Sequence, residues 1–386
     1  MDRIKIMSVF GTRPEAIKMA PLLLELSRRT EIESICCLTA QHREMLDGVM
    51  QLFDIKAQYD LNIMEPGQTL AAITTKALNG LGSVLETAKP DLILVHGDTT
   101  TTFAGALSAF YHRIPVGHVE AGLRSGDLYS PYPEELNRKL TSQIAALHFA
   151  PTARNADNLR REDITDGVFI TGNTVIDAMA YTVPRFPGTF GSEIDQIDWE
   201  RRKVIALTCH RRENYGQPMA EIFTAIKALV ERHSDLEVVY PVHLSPAVQE
   251  AARSMLGGVD RVHLIKPLDT VQMHALLARC YLVLTDSGGI QEEAPALGKP
   301  VLVLRRETER PEACDAGTVR LAGVSGPDIL RLAEELLTDP RAYQTMAQAV
   351  NPYGDGKASQ RIADAILWHF GKRSDKPADF SPGCNL

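Results

Sequence analysis

Apolar runs of strand length alternate with helix-patterned stretches along the whole chain, and this rhythm restricts the fold most. It predicts βαβ units and mostly parallel sheets. The first unit reads as a strand over Ile4–Phe10, the turn Gly11-Thr12-Arg13-Pro14-Glu15, and a helix from about Pro14 to Arg29. Pro14 falls where a first-turn proline is tolerated. Further strands are expected at Ser34–Thr39, Asp91–His96, Ile114–Val119, Leu147–Ala150 and Val168–Thr171. A second series is expected at Lys203–Thr208, Leu236–Val242, Val262–Ile265, Tyr281–Thr285, Pro300–Leu304 and Val319–Ala322. At 386 residues the chain is too long for one ordinary core. The expectation is an α/β protein of two Rossmann-like domains facing across a cleft.

The boundary should fall between Gly172 and Arg202, where Pro184, Pro187, Gly188 and Gly191 interrupt any periodicity. That gives an N-terminal domain over 1–172, rejoined by a closing helix at about 357–372, and a C-terminal domain over 173–356. Residues 373–386, charged and carrying prolines, are expected to be a flexible tail.

Composition excludes several classes. A net charge of −8 argues against a nucleic-acid partner. No run approaches the ~18 apolar residues of a membrane span, and the N-terminus has no signal-peptide pattern. The six cysteines show no CxxC and no metal-ligand spacing with histidine, so buried free thiols in the cytoplasm are expected. No GxGxxG follows a strand, no GxxxxGK[ST] occurs and no HExxH occurs, which disfavours bound NAD, an ATP loop and a metal.

Chemistry-bearing residues gather where strands end. The run Tyr281–Asp286 meets Ser287-Gly288-Gly289, then the helix-forming Ile290-Gln291-Glu292-Glu293. Glycines there let backbone N–H groups approach an anion, and the following helix turns its positive end to the same spot. In the first half, strand ends deliver Arg13, Lys18, Asp98, Glu120 and Glu134. Taken singly, Asp98 reads as a helix N-cap and Glu134 as a first-turn acid; Glu120 in its glycine-rich turn has no such role. His96 and His118 read as packed, hydrogen-bonded strand-end residues. In the second half, Cys209-His210-Arg211-Arg212-Glu213-Asn214, His243 and Arg305–Glu312 make a cationic rim. An acidic rim and a cationic rim with a glycine cradle describe a reacting carbon and a diphosphate.

The ordered motifs Phe10-Gly11-Thr12-Arg13-Pro14-Glu15, Gln41-His42-Arg43-Glu44, His96-Gly97-Asp98-Thr99, His118-Val119-Glu120-Ala121-Gly122-Leu123-Arg124, Pro133-Glu134-Glu135, Thr171-Gly172-Asn173-Thr174, His210-Arg211-Arg212-Glu213-Asn214, Asp286-Ser287-Gly288-Gly289, Glu309-Arg310-Pro311-Glu312 and Asn351-Pro352-Tyr353-Gly354 closely resemble those of the bacterial non-hydrolysing UDP-N-acetylglucosamine 2-epimerases. The resemblance spans about residues 4–370. It implies a glycosyltransferase-B architecture, a homodimer, and interconversion of UDP-GlcNAc and UDP-ManNAc for cell-surface polysaccharide, without added cofactor or metal. By the match, Arg13, His210, Ser287, Gly288, Gly289 and Arg310 hold phosphates, and Glu293 binds ribose. Asp98, Glu120 and Glu134 are the base, acid and cation stabiliser, in an order left open, and His210 is counted as catalytic with them; Lys18 is a substrate-binding residue. Met273 stands where relatives can carry an aromatic near uracil. Gln41, His42, Gln68, Arg211 and His243 match a second, activating UDP-GlcNAc site, although Gly67 replaces a basic residue of some relatives. The same chemistry on another UDP-2-acetamido sugar, or a glycosyltransferase of the same fold, are the alternatives.

Overall fold

The computed structural model describes residues 3–383 apart from 41, 42, 66 and 191. In chain order the first elements are β1 (Ile4–Phe10), α1 (Arg13–Arg28), β2 (Ile32–Leu38), α2 (Arg43–Leu52), β3 (Tyr59–Asp60), α3 (Leu70–Ala88), β4 (Leu92–His96), α4 (Thr100–Tyr111), β5 (Val116–Val119), α5 (Glu134–Ile144), β6 (Leu147–Ala150), α6 (Ala153–Arg160), β7 (Val168–Ile170) and α7 (Thr174–Thr182). There follow β8 (Lys203–Thr208), α8 (Gln217–Arg232), β9 (Leu236–Pro241), α9 (Pro246–Leu256), β10 (Val262–Ile265), α10 (Thr270–Arg279), β11 (Leu282–Thr285), α11 (Ile290–Ala296), β12 (Val301–Val303), α12 (Pro311–Asp315), β13 (Val319–Leu321), α13 (Gly326–Thr338), α14 (Pro340–Ala347) and α15 (Ala358–His369).

The chain divides into two units. Unit 1 is Met1–Ala178 with Tyr353–Leu386; unit 2 is Met179–Pro352. Unit 1 holds a seven-stranded sheet in the order β3-β2-β1-β4-β5-β6-β7, and unit 2 a six-stranded sheet in the order β10-β9-β8-β11-β12-β13. Every pairing is parallel. The order reverses between β1 and β4 and again between β8 and β11, and open sheets bind ligands beyond the strand carboxyl ends at such points. Strands buried on both faces read as continuous apolar runs, as β4 and β12 do. Unit 2 packs its core from β8, β9 and β11 against α8, α9 and α13; one core cluster of unit 1 joins β1, β2 and β4 to α3 and α4.

Three details depart from the sequence reading. The two-residue β3 was not foreseen, because nothing but its pairing with Cys37 and Leu38 defines it. The irregular stretch after α7 is packed by Phe190 between Phe186 and Trp199, with ring centroids 4.5 and 5.7 Å away. The expected loose tail lies on the edge of β7 instead: Phe380 N–H donates to Ile170 O at 2.7 Å, and Ile170 N–H donates to Asp379 Oδ1 at 2.8 Å. Phe380 is thereby buried.

Cys36, Cys37, Cys209, Cys280 and Cys314 are free thiols, and Cys384 lies outside the described residues. Burial pushes the thiols of Cys37 and Cys280 up to about 12. Among the described residues no helix is long and apolar enough to cross a membrane.

Candidate active site

In unit 1 a single buried carboxylate organises the switch point. Thr12 caps α1, and Glu15 completes the capping box by accepting from Gly11 N (3.0 Å) and Thr12 N (2.7 Å). Its other oxygen accepts from Thr99 Oγ1 at 2.7 Å, so the ends of β1 and β4 are tied together. Gly11 is glycine for internal reasons, since a Cβ there would sit 1.9 Å from Thr39 Oγ1. This turn places Arg13, half-buried, at the first position of α1.

Thr99, not Asp98, caps α4, by accepting from Thr102 N at 3.2 Å. The capping role that sequence offered Asp98 is therefore taken by its neighbour. The Asp98 carboxylate instead meets Arg138 Nη2 at 2.5 Å. Arg138 also holds Glu135 at 3.1 Å, and Asn137 Nδ2 donates to Asp98 O at 2.9 Å. All three partners belong to α5, which begins at Glu134. Glu135 is wholly buried and accepts from Ser125 N and Gly126 N. Glu134 Oε2 is buried with no hydrogen-bond partner among the described residues. The two adjacent glutamates thus do different things: one fastens the loop, the other points an unanswered oxygen from the helix start.

Glu120 sits at φ 65°, a left-handed conformation costly for a residue with a side chain. Its Oε2 is paired with Lys18 Nζ, accepts from Asn173 Nδ2 at 3.1 Å and lies 3.6 Å from His96 Nε2. Burial alone would raise its pKa, but the Lys18 ammonium, followed by His96, overrides this and holds the carboxyl well below the usual range. Glu120 is therefore ionised. His118 is packed and hydrogen-bonded as expected, through Nε2 to Gly97 O at 2.7 Å. His96 is not: among the described residues neither ring nitrogen has a hydrogen-bond partner.

In unit 2 the corresponding organiser is Asp286, wholly buried just after β11. Its Oδ2 accepts from His210 N (2.7 Å), Arg211 N (2.8 Å) and Asn214 Nδ2 (3.0 Å). One carboxylate thus fixes the loop after β8 against the Ser287-Gly288-Gly289 turn. Desolvation lowers the His210 pKa, with His243 and Arg211 adding to the effect against Asp286. The His210 and His243 rings stack at 5.2 Å.

A Cβ on Gly288 would come no closer than 3.7 Å to the Arg310 guanidinium and 3.8 Å to Arg211 Nη2. No internal clash explains this glycine, which lies in ordinary contact distance of two guanidinium groups. Arg310 is paired with Glu292, and Arg211 Nε is buried with no hydrogen-bond partner among the described residues. The helix behind the turn, α11, is only 7 residues long. The cations therefore argue for an anion more strongly than its dipole does.

Glu293 lies 3.8 Å from His274 Nε2, while His274 Nδ1 meets Thr182 Oγ1 at 2.6 Å. Met273 is half-buried on α10 beside it. Of the residues matched to a second site, Gln41 and His42 lie outside the described residues. The Gln68 amide is spent on its own loop, donating to Ile63 O and accepting from Glu65 N. Arg211 and His243 fall in the cluster around His210.

Glu15, Arg138, Asn173, Asp286 and Glu292 carry no role in the sequence reading. Each acts on a partner brought near by folding, and only the capping spacing of Thr12 to Glu15 is visible locally.

A family model for UDP-N-acetylglucosamine 2-epimerase matches residues 24–367. The chain is 56% identical over 382 residues to a UDP-N-acetylglucosamine 2-epimerase of Bacillus subtilis, covering 99% of this chain and 100% of the relative. It is 52% identical over 370 residues to the Escherichia coli K12 enzyme of that name, covering 94% and 98%. The crystal structure of UDP-GlcNAc 2-epimerase from Neisseria meningitidis bound to UDP-GlcNAc superposes with a TM-score of 0.86 at 50% identity, covering 95% of this chain and 100% of that one.

Proposed function

The chain belongs to the UDP-N-acetylglucosamine 2-epimerase family, and from that premise we propose that it interconverts UDP-GlcNAc and UDP-ManNAc by expelling and re-adding UDP. The proton on carbon 2 is not acidified by a carbonyl. Breaking the bond from carbon 1 to the diphosphate oxygen first leaves an oxocarbenium-like centre, with the bonding pair on UDP. A carboxylate then removes the carbon 2 proton, giving 2-acetamidoglucal. Protonation of carbon 2 on the opposite face and return of UDP to carbon 1 complete the inversion.

The observation that carries this reading is Glu120, held ionised by Lys18 and then His96, and hydrogen-bonded by Asn173, on a strained backbone. An anion so prepared suits proton removal or stabilisation of the cation; Glu134 and Asp98 supply the remaining roles. Arg13, His210, Ser287, Gly288, Gly289 and Arg310 are the proposed phosphate ligands, with donors fixed before the leaving-group charge develops. Glu293 is the proposed ribose ligand. A second, activating UDP-GlcNAc would draw on Arg211 and His243.

We place the enzyme in the cytoplasm, where buried free thiols persist. We also propose a homodimer. The α4 helix packs against α3 and α5 on either side, yet Phe110 and Tyr111 at its end and Leu136 and Leu140 on α5 remain exposed. Such an apolar face suits a second copy.

Incubation with UDP-GlcNAc in deuterium oxide tests the function. Epimer formation with one deuterium at carbon 2 is expected. Transfer of the sugar to an acceptor without exchange would establish a glycosyltransferase instead. A panel of UDP-2-acetamido sugars then fixes which sugar is preferred.

A further inference from the structure

Buried polar atoms in folded proteins almost always have hydrogen-bond partners. His96 breaks that rule inside the catalytic cluster. It ends β4 with a ring 4% exposed, and neither nitrogen is hydrogen-bonded among the described residues. Its backbone is held, since Thr102 Oγ1 donates to His96 O at 2.5 Å. The ring alone is left with adjustment to make. His118 on the next strand marks the contrast, because its Nε2 is satisfied by Gly97 O.

An acceptor already facing His96 is Glu120 Oε2, 3.6 Å from Nε2. That is too long for a hydrogen bond, and a small shift would make one. Catalytic hydrogen bonds are often long in the unliganded enzyme and tighten when substrate binds. The groups facing Glu120 are Lys18 from α1, His96 from β4 and Asn173 from the segment before α7; His118 from β5 faces His96 in turn.

We propose that His96 is a positioning residue for Glu120, closing its Nε2–H onto the carboxylate in the substrate complex and sharing it with Lys18 and Asn173. The proposal rests on the epimerase reading above. The contact forms as the reaction is approached, so it orients the free oxygen of Glu120 toward carbon 2 and favours the anion.

The test is steady-state epimerisation by His96→Met, which keeps bulk without a donor, and His96→Gln, which restores an N–H. His96→Met is expected to lower kcat about tenfold or more, with KM changed less than about threefold. The acid limb of kcat/KM should move to higher pH, because a carboxylate that loses a donor holds its proton more tightly. His96→Gln should recover most of the loss. Unchanged kcat and acid limb in both variants would overturn the proposal, as would equal losses in both that track only melting temperature.

If His96→Met does not fold, wild-type protein labelled with nitrogen-15 histidine decides. The His96 N–H proton, identified by its absence in His96→Gln, should move downfield on saturation with UDP-GlcNAc; an unmoved signal sinks the idea. Wild-type enzyme without carbon 2 exchange would instead refute the epimerase reading itself.

Discussion

The two units share one strand order over six strands and one organising device, yet their switch points carry opposite chemistry. Each uses a buried carboxylate to tie two strand ends together: Glu15 in unit 1 and Asp286 in unit 2. Around Glu15 lie acids already matched with cations, Glu120 with Lys18 and Asp98 with Arg138. Around Asp286 lie His210, Arg211 and Arg310 beside an open glycine turn. Unit 1 is set up to handle protons within its own charge balance. Unit 2 has two guanidinium groups, of Arg211 and Arg310, gathered where an anion would complete them. A Rossmann-like frame thus fixes where a site is built, and the strand-end residues decide what it does.

The largest effect that could break this contrast is kinetic. Glu120→Gln should lower kcat by ~10²–10⁴, the usual worth of a general acid or base, while UDP affinity measured by calorimetry stays within a few-fold. Arg310→Ala should do the reverse first, weakening UDP binding by about 10–100-fold through loss of a charge-assisted contact. If Glu120→Gln weakened UDP as much as Arg310→Ala does, the division of labour would fail.

The two glycines sharpen it. Gly11→Ala forces a Cβ onto Thr39 and should cost about 1–3 kcal/mol of stability, the price of overpacking. Gly288→Ala meets nothing within 3.4 Å and should leave the urea midpoint near the wild-type value, while UDP affinity falls. A destabilised Gly288→Ala protein would mean the turn is glycine for the fold and not for a ligand.

The smallest effect concerns what the units share. Burial holds His118 in unit 1 at about 3 and His274 in unit 2 at about 4, against 6.5 for the exposed side chain. Between those values the unfolded chain binds more protons, so this stability is complete above pH 6.5 and is lost as pH falls toward pH 4. His118→Gln and His274→Gln should each flatten the fall of the urea midpoint over that window. A flattening confined to one variant would show that the two scaffolds do not tolerate acid alike.

Much of the architecture was open to reading in the residues themselves. Continuous apolar runs, glycine turns and a capping box are short-range signals, and they place β1, β4, β8 and β11 to within a residue or two. They also put Asp98, Glu120, His210 and Ser287 at strand ends. Pairing is another matter. Lys18 stands 102 residues before Glu120, and His210 stands 76 before Asp286. Hydrogen bonds and charge interactions depend on distance in space, and no periodicity reports it. That is why Asp98 read as a helix cap although Thr99 fills that role, and why His96 read as a hydrogen-bonded strand residue although its ring has no hydrogen-bond partner among the described residues. The chain's local pattern determined two parallel sheets and the residues offered at their ends. Only the tertiary structure decided which carboxylate a lysine holds as an anion, which glutamate fastens a loop, and which glycine would clash if it carried a side chain, because burial and proximity set each of these and both arise only on folding.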